Sequence, residues 1–385
     1  MNKAVIVAAK RTPIGKIGGM LREVPLERLA ATVLKAIVEE TNIPVNEIDE
    51  VILGNCVGPG GNIARLSALE AGFPIEVPGV TVDRQCGSGL EAIQIACRLI
   101  QAGAGDMYIA GGVESTSLQP WKIEKPPHLY TSLPPTIFTR ARFSPEEIGD
   151  PEMGIAAENV AEAYDISRNE QDVYALKSHQ KAIQSIDEGR FNEEIVEVNG
   201  HKVDECPRRN TSFEKLSKLR PVFKENGTVT AGNACPINDG AAAVLIMSEK
   251  KCFELGLTPI MTFVDAVSKG VNPNLLGVGP IPAVRHLLKR QNLSVDSIDL
   301  VEFNEAFASQ VLASLKTLKI PVEKVNKGGG ALALGHPYGA SGAILVTRLL
   351  TEIKRSDAKR AIATLGIGGG LGLAVLFERY QKGEI

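Results

Sequence analysis

One cysteine lies at the head of a small-residue, helix-forming segment. In the stretch DRQCGSGLEA (83–92), Cys86 directly follows charged and polar residues and directly precedes Gly87 and Ser88. The start of a helix presents unpaired backbone N–H groups and the positive end of the helix dipole, which lower the pKa of a cysteine and favour the thiolate. The segment therefore predicts that Cys86 is a nucleophile. The plain alternative is a buried cysteine that serves as a small apolar residue.

A second Gly-rich turn follows 250 residues later and carries a histidine. At this offset CGSGLEAIQIACRLI, which begins at Cys86, lies over HPYGASGAILVTRLL, which begins at His336. Two further pairs of segments match in the same order along the chain: IDEVILGN (48–55) with IDLVEFNE (298–305) at the same offset, and DMYIAGGVE (106–114) with AIATLGIGGG (361–370) with a few residues of slippage. Three matches in one order favour internal duplication over coincidence.

Duplication suggests a shared chemistry for the two turns. Two halves that meet about a pseudo-twofold axis would bring Cys86 from one half next to His336 from the other. An imidazole beside a thiol makes an activated nucleophile. A histidine satisfied within the core is the alternative for His336, and the repeat relation weakens the plain alternatives for both residues. We therefore expect a cysteine–histidine pair where the two halves meet.

The elements that would position this pair alternate along the chain. Short β-rich runs are followed by stretches with helical periodicity, which is typical of a layered α/β fold. Strands are predicted at Ala4–Ala9, Val51–Cys56, Val80–Val82 and Met107–Gly111, and helices at Leu26–Glu40 and Leu90–Gln101.

Residues 116–236 differ in pattern from the two halves. They open with the Pro-rich segment SLQPWKIEKPPHLYTSLPP, which is typical of a loop. Two amphipathic helices follow, and Ser167 with Glu170 forms a capping box for the second. The run DGAAAVLIMS (239–248) then has the composition of a buried strand. We therefore predict three units: a first half over 1–115 and 237–255, an inserted loop domain over 116–236, and a second half over 256–385.

The composition excludes several classes of partner and cofactor. The 385 residues contain 42 Lys plus Arg and 45 Asp plus Glu, and the net charge of −3 gives no general attraction to nucleic acid or to anionic membranes. The apolar run Ala4–Ala9 is too short for a signal-peptide core or a membrane span. The six cysteines show no CxxC and the histidines no HExxH spacing. This pattern indicates reduced thiols in a cytoplasmic protein without a metal site or bound redox cofactor.

Four segments together resemble the thiolase family, the acyl-CoA C-acyltransferases. They are QCGSGLEAI (85–93), NEAFA (304–308), GGALALGHPYGASGA (329–343) and GIGGGLGLA (366–374). RTPIGKIGG near the start, MGIAAENVA in the insert and LRPVFKENGTVTAGNACPINDGAAAV before the second half are also similar. The resemblance runs nearly end to end in the family's order. It implies a duplicated, five-layered αβαβα fold with a loop domain on the first half, and a homodimer or homotetramer.

The resemblance also implies roles for four residues. Cys86 would take the acyl group as a thioester, and His336 in the GHP motif would remove the thiol proton and help hold the thioester oxygen. Asn304 of NEAF would position a water that donates the other hydrogen bond to that oxygen. The backbone N–H groups of Cys86 and Gly368 would form a second oxyanion site, in which fixed donors stabilise the transition state. A turn-forming Asn304 and a Gly368 needed only for a tight turn are the plain alternatives.

Coenzyme A or an acyl-CoA would be the substrate, bound mainly by the inserted domain, with no bound cofactor. Arg208 lines up with the position that contacts the nucleotide phosphates, where a guanidinium suits a phosphate. The other implied contacts are Phe223 and Ala231 beside the adenine and pantetheine, and Met153 and Phe307 along the acyl and pantetheine pocket. A solvated surface arginine and plain core packing are the alternatives for these residues.

The family's second catalytic cysteine is absent. In the family a cysteine removes the α-proton of acetyl-CoA, and its position aligns with Gly366, which has no side chain. Cys235 stands where a serine normally bonds the pantetheine and is followed by Pro236 rather than glycine, and Glu152 stands where histidine is common. The expected place of Cys235 along the pantetheine arm is distant from the α-carbon. We therefore favour a water molecule, or His336 in a second role, as the substitute.

The intact trio of Cys86, Asn304 and His336 predicts an acetyl-CoA C-acyltransferase that works through a Cys86 acyl-enzyme and condenses acyl-CoA or cleaves 3-ketoacyl-CoA. Acyl transfer needs only residues that are present, whereas the carbon–carbon step needs the missing acid/base, which contributes about 10²–10⁴-fold. We therefore expect fast acylation and slower condensation. Two alternatives stay open: a thiolase-like protein limited to acyl exchange or thioester hydrolysis, and a non-catalytic acyl-CoA binding scaffold, for which the trio would have no use.

Overall fold

Strands and helices alternate over the part of the chain that the computed structural model describes, residues 2–126, 128, 130 and 134–381. The strands are β1 (Ala4–Arg11), β2 (Gly15–Lys16), β3 (Glu50–Gly54), β4 (Gly79–Val82), β5 (Met107–Ser115), β6 (Lys122–Ile123), β7 (Ile137–Phe138), β8 (Asn238–Ser248), β9 (Met261–Gly270), β10 (Leu300–Phe303), β11 (Arg360–Ile367) and β12 (Leu371–Arg379). The α-helices are α1 (Leu26–Thr41), α2 (Ile63–Glu70), α3 (Ser88–Ala102), α4 (Met153–Ala163), α5 (Arg168–Asp187), α6 (Phe213–Ser217), α7 (Glu249–Glu254), α8 (Pro280–Arg290), α9 (Ala308–Leu318), α10 (Ala331–Leu334) and α11 (Tyr338–Arg355).

The large sheet is mixed and has the order β10-β11-β12-β9-β1-β8-β5-β3-β4, with β2 added to β8. Its two ends repeat one plan, because β9-β12-β11-β10 in the second half follows the order of β1-β8-β5-β3 in the first. The halves join through a short antiparallel pairing of β1 with β9, at Val5 with Thr262 and at Ile6 with Met261. The strand order therefore confirms the predicted duplication.

Three large clusters of buried side chains define five layers. The central core lies between the two halves of the sheet and is built on α3 and α11, which contribute Ile93 and Leu349. A second core packs α1 and α2 on the outer face of the first half, with Leu29 at its centre. A third core packs α8 and α9 on the outer face of the second half and includes Leu287. This is the predicted αβαβα arrangement.

Glycines allow the N-terminal ends of α3 and α11 to approach closely. A Cβ atom at Gly89 would lie 2.7 Å from the carbonyl oxygen of Gly339, and one at Gly342 would lie 2.2 Å from the backbone nitrogen of Leu90. No larger residue fits at this crossing without a shift of the backbone. The two helices begin at equivalent positions, 250 residues apart. The turns that precede them therefore meet where the two halves pack together.

The inserted segment is tied to the first half by a buried ion network. Arg11 of β1 is fully buried and pairs with Glu194 and Asp204 of the segment at 2.8 and 2.7 Å. Loss of one partner from such a pair costs about 3–5 kcal/mol. Within the segment, the capping box predicted at Ser167 and Glu170 is present at the start of α5. The insert is thus held in a defined place beside β1.

The predicted elements are present with somewhat different bounds. Helix α1 ends one residue later than predicted, and α3 begins two residues earlier and ends one later. Strand β5 runs beyond its predicted end because its pairing with β8 continues to Ser115. Of the predicted Pro-rich loop, residues 127, 129 and 131–133 lie outside the described residues. None of the helices in the described part of the chain is long and apolar enough to cross a membrane.

Candidate active site

A tight turn between β4 and α3 carries Cys86. Gln85, the residue before it, has a φ of 47°, in the left-handed region that non-glycine residues rarely adopt. The Gln85 N–H donates to the Asp83 carboxylate at 2.7 Å. The Ser88 hydroxyl donates to the Gln85 carbonyl at 2.6 Å and accepts from the Arg84 N–H at 2.8 Å. These bonds hold the strained turn and fix Cys86 at the head of α3.

The thiol of Cys86 is protonated at neutral pH. Burial raises its pKa to about 12, although hydrogen bonds from the backbone N–H groups of Gly368 and of Cys86 itself lower it. The residue is only 9% exposed, so a thiolate would lose most of its hydration. The backbone N–H groups at the helix start therefore lower the pKa of Cys86 as predicted, but burial outweighs them, so the thiolate expected from the sequence is not favoured.

His336 is a neutral imidazole with a defined tautomer. Its Nδ1 atom lies 2.6 Å from the hydroxyl oxygen of Ser341, which donates its own proton to the Pro337 carbonyl at 3.0 Å. We assign the ring proton to Nδ1, because the hydroxyl then accepts from Nδ1 while it donates to Pro337, and Nε2 is left to accept from the Asn304 amide. Burial lowers the pKa of His336 to about 3. The ring thus offers Nε2 as a base at neutral pH.

Asn304 contacts the same imidazole from the end of β10. Its amide Nδ2 lies 3.3 Å from His336 Nε2, and the residue is only 5% exposed. With Nε2 unprotonated, the amide N–H donates to it. Asn304 is not among the residues that line the adjoining cavity. It therefore meets the site through His336.

Nine of the ten predicted site residues line one cavity of about 630 Å³, a volume typical of small-molecule sites. They are Cys86, Met153, Arg208, Phe223, Ala231, Cys235, Phe307, His336 and Gly368. The first half contributes the cysteine of the α3 turn, the second half contributes the histidine, and the insert contributes the arginine. The cavity therefore joins all three parts of the chain, and Cys86 and His336 share it as predicted.

Aromatic residues and small residues shape the insert side of this cavity. The rings of Phe223 and Phe307 pack edge to face, with centroids 6.2 Å apart. A Cβ atom at Gly154 would lie 2.1 Å from the Phe223 ring, so glycine is needed at this position for the ring to sit there. Met153 begins α4 next to this glycine. The wall is apolar and suits a narrow aliphatic group.

The two adjacent arginines of the insert have different surroundings. Arg208 lines the cavity, and its backbone N–H donates to His179 Nδ1 at 3.2 Å. Arg209 instead forms an exposed ion pair with Asp187 at 2.9 Å. Arg208 is therefore the arginine whose guanidinium is available to the cavity.

Three residues of the site were not singled out from the sequence. Ser341 hydrogen-bonds to His336 Nδ1. The sequence feature that could have indicated this is its position in the first turn of α11, one helical turn after Pro337. Tyr338 lines the cavity, and its ring meets that of His336 edge to face with centroids 5.1 Å apart. Cys56 also lines the cavity and donates its thiol proton to Glu114 at 2.9 Å. Only tertiary packing brings Cys56 here, so no local pattern predicts it.

Gly366 provides no chemical group to the site. It lies in β11 opposite Gly372 and does not line the cavity. A Cβ atom on it would lie 3.0 Å from the carbonyl oxygen of Gly277, closer than nearly all real Cβ contacts. Among the residues that the structure describes, no group of three or more His, Cys, Asp or Glu side chains could hold a metal ion.

Known proteins and families match the chain along almost its whole length. The family description "Thiolase, N-terminal domain" matches residues 4–250, and "Thiolase, C-terminal domain" matches residues 257–379. The "Putative acetyl-CoA C-acetyltransferase VraB" of Staphylococcus haemolyticus is 49% identical over 386 residues, covering 99% of this chain and 100% of that protein. The crystal structure of the Bacillus anthracis acetyl-CoA acetyltransferase has a TM-score of 0.93 at 40% identity, covering 99% of each chain. That of human mitochondrial 3-ketoacyl-CoA thiolase in complex with CoA has a TM-score of 0.92 at 38% identity, covering 98% of each chain.

Proposed function

The chain belongs to the thiolase family, and on this basis we propose that it is an acetyl-CoA C-acyltransferase. It transfers acyl groups between CoA thioesters through an acyl group on Cys86, and it makes or breaks the carbon–carbon bond of a 3-ketoacyl-CoA. The observation that carries the proposal is that Cys86 and His336 line one cavity. The names of the relatives from Staphylococcus and Bacillus support the same reaction class.

Acylation proceeds from two neutral groups. The Cys86 thiol and the His336 imidazole are both neutral before the reaction. The thiol therefore passes its proton to His336 Nε2 as the sulfur attacks the thioester carbonyl. The bond from the carbonyl carbon to the CoA sulfur then breaks, and the leaving CoA sulfur takes the proton from Nε2. The N–H groups of Cys86 and Gly368, which bond the cysteine sulfur, are placed to stabilise a developing oxyanion. At a second oxyanion site, His336 Nε2 helps to hold the thioester oxygen once it has taken the Cys86 proton, and a water positioned by Asn304 supplies the other hydrogen bond.

Coenzyme A enters as substrate and lies along the cavity. Arg208 binds its phosphates, for which a guanidinium is suited by charge and geometry. The adenine and pantetheine pass Phe223, Ala231 and Cys235, and the acyl end lies between Met153 and Phe307. The related human thiolase that was crystallised with CoA supports this choice of ligand.

We assign residues 1–115 with 237–255 and residues 256–385 to the two catalytic halves, and residues 116–236 to CoA binding. We further propose that the protein acts in the cytoplasm as a homodimer or homotetramer. The even charge balance and the unpaired cysteines support a cytoplasmic protein without nucleic-acid partners.

A second candidate function is acyl exchange or thioester hydrolysis without carbon–carbon chemistry. Gly366 favours it, because this position supplies no acid or base. The two candidates are separated by comparing acetyl transfer from acetyl-CoA to 3′-dephospho-CoA with thiolysis of acetoacetyl-CoA, using Cys86→Ala as the inactive control. Rapid rates in both assays support the C-acyltransferase. Rapid transfer without thiolysis supports the second candidate, and absence of both contradicts the proposed function.

A further inference from the structure

Carbon–carbon chemistry requires a group that moves a proton at the α-carbon. Breaking the bond in a 3-ketoacyl-CoA leaves an electron pair on the α-carbon of acetyl-CoA, which must be protonated, and condensation reverses this transfer. His336 already takes the proton of Cys86 in the proposed function, on which this inference rests. The remaining thiol and phenol groups of the cavity are those of Cys56, Cys235 and Tyr338, whereas the carboxylate of Glu152 pairs with Arg140 at 3.3 Å.

The proton of Cys56 is already held by a carboxylate. Its sulfur donates to Glu114 Oε2 at 2.9 Å and lies 3.4 Å from the carbonyl oxygen of Gln85. Glu114 also accepts the backbone N–H groups of Cys56 and Gly339 at 3.1 and 3.0 Å. Cys56 therefore belongs to a hydrogen-bonded cluster that joins the β3 loop to the start of α11.

Cys235 has the opposite character. Its thiol is free and is not held by a carboxylate in the described part of the chain, and it lines the cavity that contains Cys86. Its backbone is held, because its N–H donates to the Ala306 carbonyl at 2.9 Å and the preceding Ala234 pairs with Phe307. We propose that Cys235 is the acid/base that protonates and deprotonates the α-carbon, in place of a side chain at position 366.

The surroundings of Cys235 suit a proton donor. Burial, and after it the negative charge of an ionised Cys86, raise the pKa of the Cys235 thiol, so it carries its proton until a strong base forms beside it. The backbone also brings Cys235 towards the imidazole, because Ile237, two residues further along the chain, pairs with His336. The Tyr338 hydroxyl has no hydrogen-bond partner among the described residues. Burial and then Cys235 and Cys86 raise the pKa of Tyr338. Tyr338 is therefore the competing proton donor in this cavity, and Tyr338→Phe tests it.

The protons balance over a thiolysis cycle. Cys86 gives its proton to His336 Nε2 as its sulfur bonds to the ketone carbon. The bond between that carbon and the α-carbon breaks, the α-carbon takes the electron pair and the Cys235 proton, and acetyl-CoA leaves. The thiol of the incoming CoA gives its proton to the Cys235 thiolate as its sulfur attacks the acyl group on Cys86. The Cys86 sulfur leaves and recovers its proton from His336, which restores every group.

Cys235→Ser is the decisive variant, because serine keeps a hydrogen-bonding side chain for substrate but is too weak an acid to move the α-proton. Three measurements are made: thiolysis of acetoacetyl-CoA, deuterium uptake into the methyl group of acetyl-CoA in D₂O, and acetyl transfer from acetyl-CoA to 3′-dephospho-CoA. We expect thiolysis kcat and deuterium uptake to fall by about 10²–10⁴-fold with KM little changed. Acetyl transfer needs no α-proton step and is expected to fall far less than thiolysis, and its persistence also shows that the variant is folded.

The controls are Cys252→Ala, which removes a buried thiol of α7 outside the cavity, together with Cys56→Ser and Tyr338→Phe. Cys252→Ala is expected to match the wild type in all three measurements. The inference is overturned if Cys235→Ser retains deuterium uptake, if it loses acetyl transfer as well, or if deuterium uptake is abolished by Cys56→Ser or Tyr338→Phe alone. A wild-type enzyme without acetyl transfer would instead refute the proposed function, so the two failures are distinct.

Discussion

The Nδ1 atom of His336 lies 2.6 Å from the hydroxyl oxygen of Ser341, and this bond decides which ring nitrogen is the base. With its own proton donated to the Pro337 carbonyl, one turn earlier in the chain, the serine accepts from Nδ1. Nε2 is left to accept a proton from Cys86. A serine in the second half thus determines the reactivity of a cysteine in the first.

Ser341→Ala should slow acylation of Cys86 without changing substrate affinity. Loss of the acceptor leaves the buried Nδ1–H unsatisfied, which costs about 1–3 kcal/mol, and we therefore expect the single-turnover acetylation rate to fall by about 10–100-fold. Ser314→Ala is the matched control, because Ser314 is a buried helical serine whose hydroxyl has no partner among the described residues. An unchanged rate in Ser341→Ala would show that the tautomer is set by another group.

The rate constant of acetylation should be flat from about pH 5 to 9. His336 has its pKa lowered to about 3, so its imidazole is already deprotonated throughout this range. Cys86 has its pKa raised to about 12, so its thiol stays protonated in the same range. Neither group changes charge there, and the reactive pair keeps its full population. Stopped-flow acetylation at a series of pH values measures this; a limb with a midpoint between about pH 6 and 9 would instead indicate a thiolate–imidazolium pair.

The sequence was sufficient to predict which residues meet at the site, but not the protonation states of those residues. The offset from Cys86 to His336 could be recognised because each residue lies two positions before a helix, α3 or α11, and the repeated strand order brings the helix starts together. The pKa of Cys86 could not be predicted, since it depends on burial by residues distant in sequence. The contacts of Ser341 and Tyr338 with the imidazole could not be predicted from the sequence either, because serine and tyrosine are ordinary residues in the first turn of a helix.

Arg208→Ala should weaken the binding of CoA substrates. A hydrogen bond to a charged group contributes about 1.5–3 kcal/mol, so we expect KM for acetoacetyl-CoA and CoA to rise roughly 10–100-fold with kcat little changed. Arg209→Ala is the matched control, because its guanidinium is already engaged by Asp187 at the surface and contributes little. An equal rise in KM in the two variants would mean that Arg208 does not bind CoA substrates more strongly than Arg209 does.

A cysteine at position 366 tests whether the carbon chemistry is limited by a missing acid/base. In the Cys235→Ser background, Gly366→Cys should restore part of the thiolysis rate. Its Cβ atom would lie 3.0 Å from the Gly277 carbonyl, so the variant should also be destabilised by about 1–3 kcal/mol, measured as a lower Tm. Gly366→Ala in the same background should lower Tm to a similar extent without restoring activity. Recovery by alanine, or none by cysteine in a folded variant, would contradict this.

Mass spectrometry of the protein after brief incubation with acetyl-CoA tests the cysteine–histidine pair most directly. We predict one acetyl group, located by peptide mapping on Cys86, with much slower labelling in His336→Ala and none at this site in Cys86→Ala. A wild-type protein that stays unlabelled, carries its acetyl group only on another cysteine, or is labelled equally fast without the imidazole would contradict the account.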